Sequence, residues 1–215
     1  KTVIILFHKH SPYMFFNILF GYLGYFFLNS YLQINNFNQK YISSINIIIN
    51  SSLTFIFTTL FILDFISDYT ILFILNLSKG FYIIDLIQND YNKKQLIIKS
   101  IHHFISIMGV LTFMDYKYEI SYLFQTEISN IPYEIRNILK NKNLNYPRLE
   151  IFLISVFYSL FFFQRIIYGY YNKNVICEKD NIQDCFLVNC IYILWCYWFI
   201  LITNKLFSII GKKIR

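Results

Sequence analysis

Seven apolar runs, each about the 20 residues that a spanning helix needs, follow one another along the chain with only short polar breaks between them. They lie at 13–32, 42–63, 71–88, 96–114, 119–139, 149–171 and 186–210. A soluble domain spaces its apolar residues at core positions instead of stacking them in unbroken windows, so these runs decide the class. Composition agrees: 56% of residues are hydrophobic and 14% charged, against roughly 45–50% and 25% in soluble domains. A water-soluble fold, a disordered chain, a coiled coil and a collagen-like repeat are excluded. The third run is interrupted by Lys79 and Gly80, and the fifth carries Glu127, Asn130, Pro132, Glu134 and Arg136. Polar groups at that depth are tolerated only where protein covers them. The expected fold is all-α, a polytopic transmembrane helical bundle of six or seven spans.

Loop charge gives an orientation. With seven spans, twelve Lys and Arg fall on one side (Lys40, Lys93, Lys94, Lys99, Arg136, Lys140, Lys142, Arg148, Lys205, Lys212, Lys213, Arg215) and five on the other (Lys1, Lys9, Lys117, Lys173, Lys179). The second side is further diluted by seven acidic residues, from Asp64 to Asp184. Positive loops stay cytosolic, so the C-terminus is expected in the cytosol and the N-terminus opposite. The net charge of +7 then reflects anionic lipid headgroups, and no nucleic-acid partner is expected. The chain divides into an N-terminal segment with the first span (1–45), a transmembrane domain (46–211) and a basic tail (212–215). In that tail Lys212 and Lys213 fit a dilysine retrieval signal of the endoplasmic reticulum, or equally a basic stop after the last span.

Ionisable groups inside the runs carry the chemical information, because each is costly in hydrocarbon and is retained with a partner or a task. They are Lys79, Asp85, His102, His103, Glu127, Glu134, Arg136 and Arg165. Adjacent His102 and His103 point about 100° apart on a helix, so one is expected to face the interior while the other packs or anchors a second helix. The alternatives are a pair of packing histidines or a catalytic pair with Asp85, which lies near the same end of the third run. Glu127 and Arg165 lie deeper, at matching depths, and are expected to pair. Cys177 and Cys185 flank an acidic loop and are read either as a disulfide or as two free thiols. Cys190 and Cys196 sit within the last run as small apolar residues. These four cysteines form no zinc pattern, and no metal or cofactor is expected.

Four blocks of the sequence resemble one family. They are Lys79-Gly80-Phe81-Tyr82-Ile83-Ile84-Asp85; Ser100-Ile101-His102-His103-Phe104; Thr126-Glu127-Ile128-Ser129-Asn130-Ile131-Pro132 with Arg136; and Phe161-Phe162-Phe163-Gln164-Arg165. Their order and spacing resemble the core of the TLC domain, a membrane module of translocating-chain-associated proteins, longevity-assurance ceramide synthases and a neuronal ceroid lipofuscinosis protein. Likeness is closest to the branch that consists of a TLC domain only. The acidic cluster that follows the His pair in ceramide synthases has no counterpart in Tyr122-Leu123-Phe124-Gln125-Thr126-Glu127.

The resemblance implies lipid handling: binding, sensing or trafficking of membrane lipids, acyl chains or sphingolipids. Asp85, His102, His103, Glu127, Arg136 and Arg165 would line the lipid cavity. The synthase branch implies an alternative, acyl transfer with His102, His103 and Asp85 as catalytic groups. A further alternative is an accessory subunit of a large membrane assembly. The expected location is the endoplasmic reticulum, with the mitochondrial inner membrane as the alternative.

Overall fold

Glycine is scarce, with six residues in the chain, so helix ends are built from other residues. The computed structural model describes residues 2–88, 93–111, 117–144, 146–178 and 182–214, and the side chains of 16–87, 96–108, 117–144, 146–178 and 182–208. All regular structure among them is helical: α1 (Thr2–Ile34), α2 (Gln39–Ile62), α3 (Asp68–Gln88), α4 (Lys93–Leu111), α5 (Lys117–Gln125), a 3₁₀ turn (Thr126–Ser129), α6 (Asn130–Asn141), α7 (Pro147–Phe161), a π-helical segment (Phe162–Tyr168), α8 (Gly169–Glu178) and α9 (Ile182–Ile214). α1, α2 and α6 each end on a left-handed residue, Asn36, Asp64 and Asn143, with φ of 62°, 59° and 55°. In each case the next amide reaches back five residues, as Phe37 N–H does to the Leu32 carbonyl at 3.1 Å. This is the Schellman closure, with short polar side chains standing in for glycine. Asn38 caps α2 by accepting from the Tyr41 amide at 2.8 Å, and Pro147 opens α7 where a missing N–H costs nothing.

Because α5 runs into α6 through the 3₁₀ turn and α7 into α8 through the π segment, the described residues form seven rods. Each rod holds one apolar run and most overshoot it: α1 begins at Thr2 instead of 13, and α8 continues to Glu178 instead of 171. A 20-residue window measures a bilayer, whereas helical hydrogen bonding continues into the headgroups. The end of the fourth run, 112–114, lies outside the described residues. Among the described residues four helices are long and apolar enough to cross a membrane, as an integral membrane protein requires: Gln39–Ile62, Asp68–Ile87, Pro147–Glu178 and Ile182–Ser208. In α4 the apolar stretch is shorter, Leu96–Met108. Residues 45 and 46 are consecutive within α2, and 211 and 212 within α9, so neither expected boundary falls in a connection.

Six rods form a ring, α3 to α4, α4 to α9, α9 to the α7–α8 rod, α7 to α6, α6 to α2 and α2 back to α3, while α1 docks outside on α3. Glycine makes that docking close. A Cβ on Gly80 would lie 2.4 Å from the Tyr22 amide nitrogen, and one on Gly21 would lie 2.7 Å from the Leu77 carbonyl oxygen. Small residues that let backbones approach are how helices associate in lipid. Apolar residues lie on both faces, in a core that includes Phe61, Leu75, Phe81 and Trp195 and on the exterior, and the interior is far more polar than a soluble core. Phe20, Phe27, Phe104 and Ile193 face outward, whereas α2 buries Ser44, Asn46, Asn50, Ser51, Thr54 and Thr58. Asn46 bonds Asn29 of α1, and Thr54 and Thr58 return their hydroxyls to carbonyls four residues back.

Candidate functional site

His103 lies ten residues into α4 and Asp85 three residues from the end of α3, a difference in depth of roughly 10 Å at 1.5 Å per residue. Side chains on helices lean toward their own N-termini, and these two helices are antiparallel neighbours. Asp85 therefore leans inward and His103 outward, and they meet with His103 Nε2 2.8 Å from Asp85 Oδ2. Lys99, one turn before His103, donates to the same oxygen at 3.2 Å. A carboxylate only accepts, so Nε2 carries the hydrogen, and in the neutral ring Nδ1 is the lone-pair nitrogen. Tyr82 stacks on the His103 ring at 4.7 Å. His102 points to another helix, its ring edge-on to Trp198 of α9 at 5.1 Å. Both imidazoles are buried, and neither Nδ1 has a hydrogen-bond partner among the described residues.

A second cluster forms where two rods lose α-helical register. Pro132 lacks an amide hydrogen for the Ile128 carbonyl, and the turn before it tightens to 3₁₀. Asn130 N–H turns to the Glu127 carbonyl, which leaves the Thr126 carbonyl to accept from Ser129 Oγ at 2.8 Å and from Arg165 Nη2 at 3.3 Å. Arg165 sits in the facing π segment and donates further to Ser129 Oγ at 3.2 Å and Asn130 Oδ1 at 3.3 Å. Its ion-pair partner is Glu127, at 3.7 Å, with the guanidinium over Phe161 and Trp195. Nearer the α6–α7 connection, Arg136 binds Glu150 Oε1 at 2.7 and 3.1 Å.

These side chains share one cavity of about 390 Å³ inside the ring, within the range of small-molecule sites. Asp85, His102, His103, Glu127, Arg136 and Arg165 all line it, among Phe81, Tyr133, Phe157 and Trp198. A smaller cavity of about 60 Å³ lies beyond, toward Asp184, and the two share Tyr82, His102 and Glu127. Lys99, Glu134 and Lys205 also line the large cavity and were not assigned to it from sequence. Lys99 was legible as the residue one turn from His103; nothing in the sequence brings Lys205 to the site. Cys177 and Cys185 are joined as a disulfide across the α8–α9 hairpin, and Cys190 and Cys196 are free. No group of three or more His, Cys, Asp or Glu able to hold a metal occurs among the described residues. Side chains of Lys212 and Lys213 lie outside the described residues. No protein-family model, curated protein or solved structure matches the chain.

Proposed function

We propose that this integral membrane protein admits an acyl-chain lipid into the ring cavity and acts in lipid binding, sensing or trafficking. One observation carries the reading: seven buried ionisable or imidazole groups from four rods converge on one cavity of about 390 Å³ with aromatic walls. These groups pair with one another and with neighbours across the rods, and the pairs stand around a space instead of closing it. The likeness of the four sequence blocks to the TLC domain points the same way, and a TLC-like bundle of six or seven spans belongs to the same proposal. So do an internal membrane as its location, the endoplasmic reticulum ahead of the mitochondrial inner membrane, and lipids as its partners. Native mass spectrometry of gently solubilised protein tests the reading. One lipid per chain is expected, and it should be lost from Ile154→Trp, which fills the cavity wall. Protein without lipid, or lipid retained after the wall is filled, refutes it. Recovery only within a larger assembly would favour the accessory-subunit alternative.

Acyl transfer is the second reading, favoured by the buried His103–Asp85 contact and the unpartnered His103 Nδ1. In that reaction an acceptor amine attacks the thioester carbonyl of an acyl donor, Nδ1 takes the amine proton, and the thiolate leaves. Turnover that survives His103→Ala, or no turnover with any acyl-CoA donor, removes this reading.

A further inference from the structure

Most charged groups around the large cavity are hydrogen-bonded or ion-paired. Asp85 is held by His103 and Lys99, Glu127 by Arg165 and Asn130, and Glu134 by Ser44 at 2.7 Å and Asn137 at 3.0 Å. The mouth differs. There Glu150 of α7 holds Arg136 and Lys140 of α6, and Lys205 of α9 lies over Tyr133 of α6 and lines the cavity with Arg136. Arg136 and Lys140 both use one oxygen, Glu150 Oε1, at 2.7 and 2.9 Å. Lys205 has no carboxylate within 4 Å among the described residues; its ammonium lies over the Tyr133 ring, 5.8 Å from the centroid. Three cations thus stand near one carboxylate, Arg136 and Lys205 lining the cavity and Lys140 tied beside them to Glu150 in the first turn of α7. A positive-inside loop bias accounts for exposed lysines but not for Arg136, which is 5% exposed and lines the cavity wall.

We propose that Arg136, Lys140 and Lys205 form a phosphate site at the cavity mouth, so that the amphiphile bound there carries a phosphate headgroup outside and its acyl chain within. The inference rests on the cavity being a lipid site. Basic pockets between helices on the cytoplasmic side are the usual binding places of phosphorylated headgroups. Lys205 supplies the charge left unmatched, and Tyr133 holds its ammonium at the rim.

The test uses the full chain in neutral detergent with three probes: phosphatidic acid, the diacylglycerol of the same chains, and inorganic phosphate. Phosphatidic acid should bind at least tenfold more tightly than diacylglycerol, and inorganic phosphate should not displace it at equal concentration. Lys205→Gln, at an exposed position where the fold is not at risk, should weaken phosphatidic acid about fivefold and leave diacylglycerol unchanged. Arg148→Gln removes the same charge from the exposed start of α7 and should change neither. Equal affinity for the two lipids would overturn the phosphate site while leaving the cavity a lipid site. Binding of neither lipid would overturn the lipid reading itself. Equal losses from Lys205→Gln and Arg148→Gln would assign the attraction to diffuse surface charge, and displacement by inorganic phosphate would assign the site to free phosphate; either overturns the proposal.

Discussion

Replacing Arg165 should be the most damaging single change in the bundle, and a double-mutant cycle with Glu127 gives the reason in numbers. Arg165 donates three hydrogen bonds, to Ser129, Thr126 and Asn130, and lies 3.7 Å from Glu127. Interhelical hydrogen bonds in membranes average about 0.6 kcal/mol, so the three contribute about 2 kcal/mol. At 3.7 Å the Coulomb attraction is about 4 kcal/mol for an effective dielectric near 20, an upper bound because both charges were desolvated on burial. Arg165→Gln should therefore cost about 4 kcal/mol, hydrogen bonds plus a stranded Glu127 carboxylate. Glu127→Gln should cost about 2 kcal/mol, because Arg165 keeps its three acceptors. The double mutant should lose little more than Arg165→Gln alone, a coupling of about 2 kcal/mol. Equilibrium unfolding in mixed micelles, titrated with a denaturing detergent, measures all three. Additive losses of about 6 kcal/mol would show that the two residues do not interact and that Glu127 belongs to the cavity alone.

Two other perturbations use the same titration. Gly80→Ala places a methyl against the backbone of Tyr22, Gly21 and Ile18, so α1 must lift from α3 at about 2–3 kcal/mol, while Gly24→Ala, with open space around it, should be neutral. Equal effects would mean that the glycine crossing is not close. Reducing the Cys177–Cys185 bridge, which spans eight residues, should cost about 2.5 kcal/mol on chain entropy. A loss below about 1 kcal/mol would mean that the α8–α9 hairpin persists when the bundle unfolds.

Apolar runs located every rod, because burial in lipid and backbone self-satisfaction both demand long helices. Depth counting also brought Asp85 near His103, although the direction in which each side chain leans closes most of the gap. Hydropathy is blind to hydrogen-bond register, so neither the 3₁₀ turn at Thr126–Ser129 nor the π segment at Phe162–Tyr168 could be read from it. Pro132 was the one local signal, and the carbonyl that Arg165 uses is that of Thr126, two residues earlier than the one proline itself orphans. Contacts between helices distant in sequence, such as Lys205 over Tyr133 or Ser44 on Glu134, leave no periodic trace. They depend on which rods become neighbours around the ring.

The apolar exterior and polar-rich interior of the bundle set how its stability responds to temperature. In water, apolar burial gives unfolding a large positive heat capacity, which bends the stability curve and weakens the fold on cooling. Here Ile56, Phe163 and Ile193, on helices long and apolar enough to cross a membrane, face outward in the folded bundle, and separating the rods within a bilayer would leave them in the same acyl-chain solvent. What separation breaks is the bonding between rods, the Asn46–Asn29 and Ser44–Glu134 hydrogen bonds among it, whose loss is chiefly enthalpic. The stability curve is therefore nearly straight, without the fall at low temperature that marks a water-driven core, and cooling tightens the bundle throughout the range in which the bilayer stays fluid.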